Sequence, residues 1–191
     1  NKHQAHEILA LTFTNKAANE MKERFMAKNQ NKNSPFFGTF HSFCVRLLKQ
    51  SSALDSIGLT KDFTIIDPSQ QKEIIQTLMK STQLSMERKP KDILGKISSI
   101  KQHPQSLHRE YLADSDEDIQ KLFDPYNNHL KKINSVDFDD LLLHAYSILA
   151  TNEEELLKYQ NRFKYIIIDE YQDTNQIPVS YTHLTLPTSP K

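Results

Sequence analysis

Asp169 and Glu170 stand side by side at the end of an unbroken apolar run, Tyr165-Ile166-Ile167-Ile168. A run without alternation fits a strand buried on both faces, as in a parallel sheet flanked by helices. In open α/β sheets, ligands are met just outside the carboxyl ends of such strands. There the first carboxylate can hold Mg²⁺, directly or through water, and the second can orient or deprotonate an attacking water. The competing reading is an acidic cap that opens the next helix and does no chemistry.

Two further clusters sit where a strand hands over to a helix. Thr12-Phe13-Thr14-Asn15-Lys16 follows the apolar Ile8-Leu9-Ala10-Leu11, and a helix starting there offers N–H groups and positive potential to a phosphate. Phe13 can stack on a base, while Thr14, Asn15 and Lys16 can hold a nucleic-acid backbone. Alternatively, Phe13 belongs to the core and Thr14 or Asn15 is a plain cap. The second cluster is Thr39, His41 and Ser42. Hydroxyl and imidazole groups suit phosphate and sugar, and a nearby phosphate favours the protonated imidazole; Ser42 serves equally well as an N-cap. Asp137, Asp139 and Asp140 look like metal ligands by composition. Their place at a helix start, ahead of Leu141 and Leu142, reads instead as capping and compensation of the helix dipole.

The longer strings around these residues resemble the UvrD/Rep-like superfamily 1 DNA helicases. Ile168-Asp169-Glu170-Tyr171-Gln172-Asp173-Thr174-Asn175 looks like their Walker B segment. The string from Ile8 to Met21, with Thr12-Phe13-Thr14-Asn15-Lys16 at its centre, looks like their first DNA-contacting motif, and Phe37-Gly38-Thr39-Phe40-His41-Ser42-Phe43-Cys44 like the second. Val136-Asp137-Phe138-Asp139-Asp140-Leu141-Leu142 also recurs at the corresponding place. The resemblance covers roughly residues 5–176. It implies a RecA-like parallel sheet of the P-loop NTPase type with an all-helical inserted subdomain, and ATP with Mg²⁺ as cofactors. Asp169 is then the nucleotide and Mg²⁺ ligand, and Glu170 the catalytic base. Phe13, Thr14, Asn15, Lys16, Thr39, His41 and Ser42 contact single-stranded DNA. The partners implied are single-stranded DNA and single-strand/duplex junctions, with Arg88, Lys89 and Lys91 either gripping duplex or facing solvent. The family's Gly-x-x-Gly-x-Gly-Lys-Thr loop has no match in residues 1–7, which contain no glycine, and the second motor domain is absent, so the P-loop fold is expected to be incomplete. The expectation is a fragment of an ATP-dependent DNA helicase that couples ATP hydrolysis to translocation and unwinding, inactive alone. The alternatives are an ATP-independent DNA-binding module and a nonfunctional truncated product.

The elements that must hold these residues are outlined by periodicity. Residues 8–13 read as a doubly buried strand, followed by a helix whose apolar face carries Ala18, Met21 and Phe25. Residues 28–35, rich in Asn and Lys, read as a loop and residues 36–40 as a short strand, with Phe43, Cys44, Leu47 and Leu48 lining the next helix. Strand–helix–strand–helix at this spacing argues for parallel βαβ units. Asp67-Pro68-Ser69-Gln70 is a strong helix start: N-cap Asp, Pro at the first helical position, Gln three residues after the cap. Ile74, Ile75, Leu78 and Met79 form its inner face. Pro90 opens a helix carrying Ile93, Leu94, Ile97 and Ile100, and residues 115–133 form another, kinked or broken at Pro125. Residues 137–149 and 153–163 read as helices leading back to the Tyr165 strand. No strand signal of comparable strength falls between residues 67 and 160. The organisation expected is therefore residues 1–55 and 137–178 in the ATPase domain, an all-helical insertion over 56–136, and a non-native tail over 179–191. That tail has three Thr, two Pro and no match to the Gly-Asp-x-x-Gln-Ser-Ile-Tyr motif with which the family continues.

Bulk properties narrow the class. The 191 residues suffice for a sizeable core, and no apolar run approaches the roughly 20 residues of a membrane span. A single cysteine excludes an internal disulfide and offers no metal cluster, which fits a reducing cytoplasm. The net charge of zero hides an asymmetry: residues 1–50 carry eight Lys/Arg against three Asp/Glu, and residues 108–175 seven against fifteen. A basic front half suits phosphate contacts, and the acidic half contains the proposed metal-binding strand. Oligomeric state is left open.

Overall fold

The five residues Ile8–Thr12 form the strand around which the chain is organised. In the computed structural model, which describes residues 4–29, 33–82, 88–103 and 105–169, the elements in chain order are β1 (Ile8–Thr12), α1 (Asn15–Lys28), β2 (Phe36–Thr39), α2 (Phe40–Gln50), β3 (Thr64–Ile65), α3 (Pro68–Ser81), α4 (Pro90–Lys101), α5 (His108–Ala113), α6 (Glu117–Lys132), β4 (Ser135–Val136), α7 (Phe138–Thr151), α8 (Glu153–Arg162) and β5 (Tyr165–Ile168). Glu170, the rest of the Walker B-like string and residues 179–191 lie outside the described residues. β1 pairs in parallel with β2 on one side and β5 on the other, giving the order β2-β1-β5 with Leu9 opposite Phe36 and Ile8 opposite Tyr165. The chain is thus α/β, with parallel sheets flanked by helices.

Alternation across the pleat sorts side chains onto two faces. Leu9 and Leu11 of β1 enter a core with Phe43, Leu47, Leu141, Ile148, Tyr159 and Phe163 from α2, α7, α8 and the residue after α8. Phe36 follows them, its ring 5.9 Å from that of Phe43, whereas Phe37 turns to the opposite face and meets Phe25 of α1 at 5.6 Å. Gly38 has no room for a side chain: an added Cβ would come within 2.6 Å of the Ser42 hydroxyl and 2.8 Å of the Phe36 ring. The expectation of strands buried on both faces holds for β1 but not for β5. Ile166 and Ile168 pack on the core, while Tyr165 and Ile167 on the other face are 41% and 53% exposed. Among the described residues α1 packs chiefly on β1 and β2, on the side away from the β5 edge in the order β2-β1-β5.

A second core joins Ile75 and Met79 of α3, Ile93 and Ile97 of α4, and Ile119, Leu122, Tyr126 and Leu130 of α6. The stretch 56–136 is not helical throughout. β3 and β4 pair in parallel, Thr64 opposite Ser135, and seal the two ends of that stretch together. Asn134, at φ 48°, turns the chain so that its carbonyl accepts from the Thr64 N–H at 3.1 Å. Of the kink or break expected at Pro125, the break does not occur: α6 is one continuous helix from Glu117 to Lys132. Burial of Ile119, Leu122, Tyr126 and Leu130 along one stripe outweighs the loss of a single helical hydrogen bond. Among the described residues no helix is long and apolar enough to cross a membrane.

Candidate nucleic-acid interface

Because β1, β2 and β5 run in parallel, their carboxyl ends open on one edge, and the predicted residues follow them there. Phe13 leaves β1 half-buried, packs against the first core and lies 5.3 Å from the Phe40 ring. Thr14, Asn15 and Lys16 beyond it are exposed. The Thr14 hydroxyl accepts from the Ala17 N–H at 3.1 Å and so caps α1. The capping expectation for this cluster holds, and the side chains of Thr14, Asn15 and Lys16 at the capped helix N-terminus are exposed.

At the end of β2 the caps dominate. Thr39 is buried, its hydroxyl accepting from the Ser42 N–H at 3.1 Å, and Ser42 Oγ donates to the Thr39 carbonyl at 2.8 Å. Thr39 thus meets a ligand only after its cap is shared or released, whereas exposed Ser42 still offers lone pairs. His41 is half-buried and stands edge-on to Phe138 at 5.5 Å and 82°. Burial lowers its pKa, opposed by a hydrogen bond to the Phe138 backbone, which leaves a neutral imidazole at pH 7 in the absence of a ligand. Asp169 follows β5 directly. Its N–H donates to the Leu11 carbonyl at 3.0 Å, extending the β1–β5 ladder, and the residue is exposed at the sheet edge.

The Asp137-Asp139-Asp140 group is a cap, as expected, and more than a cap. Asp137 Oδ1 accepts from the Asp140 N–H at 2.8 Å, and Asp140 reciprocates to the Asp137 N–H at 3.3 Å. The remaining oxygens reach a buried lysine: Lys101 Nζ lies 2.7 Å from Asp137 Oδ2 and 2.8 Å from Asp140 Oδ1, with Lys101 only 1% exposed. Tyr126 donates its hydroxyl to Asp137 Oδ2 at 3.0 Å. Burial works against the Lys101 charge, yet the two carboxylates hold its pKa above the ordinary lysine value. Among the described residues no group of His, Cys, Asp or Glu is arranged to bind a metal. Arg88 is drawn to Asp116 at 2.8 Å and Asp118 at 3.3 Å, while Lys91 lines an open groove of about 580 Å³ with Lys72, Gly95, Ser98, Phe138 and Asp139.

Over residues 1–188 the sequence matches the UvrD/REP helicase N-terminal domain family. The chain belongs to that family. It is similar to the ATP-dependent DNA helicase PcrA of Staphylococcus epidermidis, 38% identical over 176 residues, and to the ATP-dependent DNA helicase PcrA of Staphylococcus aureus at 36%. Each alignment covers 90% of this chain and 24% of the relative, so the chain spans about a quarter of the length of the curated relatives it matches.

Two residues of this family member were not singled out from the sequence. Phe138, 47% exposed, is the wall against which His41 rests. Its sequence signal misleads, because positions 138, 141, 142 and 145 share one helical face and so place it with the core. Lys101 left a clearer trace. It falls on the apolar stripe of Ile93, Ile97 and Ile100, where a lone lysine must find a buried partner.

Proposed function

We propose that the chain is part of an ATP-dependent DNA helicase that couples ATP hydrolysis to movement along single-stranded DNA and to duplex unwinding in the cytoplasm. Its own share is to grip the strand and to supply the Walker B side of the nucleotide site. The observation that carries this reading is the convergence of Phe13, Lys16, His41, Phe138 and Asp169 on the carboxyl edge of one parallel sheet. Phe13 and Phe138 offer faces for bases, and Thr14, Asn15, Lys16 and Ser42 offer donors and charge to the backbone. Thr39 and His41 would contact the same DNA strand, Thr39 once its cap bond is shared or released. The second core among α3, α4 and α6 supports treating residues 56–136 as an inserted subdomain of the RecA-like domain formed by residues 1–55 and 137–178.

The donor set at the nucleotide side suits the cofactor. An exposed carboxylate at a strand end fits Mg²⁺, which keeps several waters and takes one or two protein carboxylates. Asp169 would hold the ion with ATP, where it neutralises phosphate charge. Glu170 would orient or deprotonate the attacking water.

Binding of a fluorescein-labelled oligo-dT by the 191-residue chain, read by anisotropy, tests the strand-gripping reading. Phe13→Ala is expected to weaken binding about fivefold or more by loss of a stacked base. Lys16→Ala is expected to lower the dependence on log salt by about 0.7. Equal affinity for both variants and the parent chain would sink it. In the full-length helicase, Glu170→Gln is expected to abolish DNA-stimulated hydrolysis while leaving nucleotide binding intact; hydrolysis near the parent rate removes the catalytic assignment.

A further inference from the structure

A buried lysine held by two carboxylates calls for an explanation beyond stability. Taking three charges out of water costs several kcal/mol per ion, and well-packed apolar residues of similar volume stabilise as well or better. The best-attested use of such a cluster is to set one register of packing among several that an apolar seam would tolerate. The geometry of this cluster shows which register. Lys101 is the last residue of α4 and Tyr126 belongs to α6, so both come from the second core. Asp137 and Asp140 belong to the cap and first turn of α7, whose later residues Leu141, Leu142 and Leu143 enter the first core. Lys101 Nζ bridges the two carboxylates at 2.7 and 2.8 Å and lies 4.9 Å from the centre of the Tyr126 ring. Between the two bridged aspartates sits Phe138, the exposed ring that meets His41.

We propose that Lys101 is a positioning residue for nucleic-acid binding: by clamping Asp137 and Asp140 it fixes the first turn of α7 so that Phe138, in edge-to-face contact with His41, is presented as a stacking surface. The proposal rests on the strand-gripping role of that edge. Leu141, Leu142 and Leu143 anchor α7 in the first core, whereas Phe138, one turn earlier, is exposed and His41 only half-buried, so apolar burial does little to hold that ring. Two charge-assisted bonds, one on either side of Phe138, hold the turn that carries it. The clamp touches no base or phosphate, so its effect on binding must pass through Phe138.

The test uses the 191-residue chain with Lys101→Met, which removes the charge at similar length, and Tyr126→Phe, which deletes one bond to Asp137 and leaves the lysine pairs in place. Thermal unfolding verifies that each variant folds. The first readout needs no DNA: the NMR titration of the His41 imidazole, assigned with His41→Gln. Release of Phe138 takes from His41 both the burial that lowers its pKa and the Phe138 backbone hydrogen bond that raises it; burial is the larger influence, so the midpoint is expected to move upward in Lys101→Met and by a smaller amount in Tyr126→Phe. The second readout is oligo-dT affinity in a double-mutant cycle with Phe138→Ala. Lys101→Met is expected to lose about five- to tenfold, close to the loss for Phe138→Ala, with the double variant no weaker than either alone. An unmoved His41 titration in a folded variant, or losses that add, would overturn the proposal. If Lys101→Met does not fold, Asp140→Asn, which removes one of the two lysine ion pairs, decides in the same directions. If the parent chain fails to bind oligo-dT, the strand-gripping reading falls, and the His41 titration alone still decides whether Lys101 sets the position of Phe138.

Discussion

His41 carries the chemistry most sensitive to its surroundings. Without a ligand its imidazole is neutral at pH 7, since burial against α7 lowers its pKa and the hydrogen bond to Phe138 only partly offsets this. A phosphate arriving beside it favours the charged ring, so the complex holds more protons than the separated partners and binding is linked to proton uptake. The sign follows. Affinity for oligo-dT is expected to rise as pH falls from 7.5 to 5.5, between the pKa of the complex and that of the empty protein. In His41→Gln the rise should flatten, and an equal slope in both proteins would detach His41 from the phosphate. That strands hand over to helices at Thr14 and Thr39 was readable in advance, because hydroxyls at such junctions cap the helix, and the structure shows both doing so. What the string of letters does not carry is that Thr39 rather than Ser42 is the cap, or that Phe138, from a segment nearly one hundred residues away, completes the pocket.

Elements were legible to the degree that their signals are local. α3 begins where its capping box requires: Asp67 accepts from the Ser69 and Gln70 N–H groups at 2.7 and 2.9 Å, and Gln70 returns a bond to the Asp67 N–H. The same physics makes Thr39 testable. Its side chain makes one cap bond, accepting from the Ser42 N–H, so Thr39→Ala is expected to cost about 1 kcal/mol of unfolding free energy and Thr39→Ser much less. Chemical denaturation measures both, and equal losses would mean that the methyl group rather than the hydroxyl matters. β3 and β4 were not legible. Two residues give no period, Thr64 and Ile65 are exposed, and the pairing exists only because the helices between them return the chain to its starting point. The exposed face of β5 was missed for the converse reason: Ile166, Ile167 and Ile168 read alike, and only the position of α1 separates them.

At the scale of the whole molecule, two apolar cores meet across one ionic cluster. Burial opposes ionisation of Asp140, but the charges of Lys101 and His144 and the hydrogen bonds from Lys101 and the Asp137 backbone together outweigh it and hold that carboxyl below the ordinary carboxylate range. A depressed folded pKa means that the stabilisation is fully present above the carboxylate pKa of the unfolded chain and is lost as pH falls through the folded value. The melting temperature of the chain is therefore expected to drop more steeply below pH 4 than that of Asp140→Asn. Parallel curves would remove Asp140 from the acid transition. The sheet has a consequence of a different kind, in time. β1 is bonded to β5, the last strand described, with Ile8 opposite Tyr165. At translation rates of about 5–20 residues per second, a ribosome delivers β5 on the order of ten to thirty seconds after β1. Through that interval the central strand waits with one edge unpaired, so the nascent chain is most vulnerable to wrong strand partners before its helices have finished emerging.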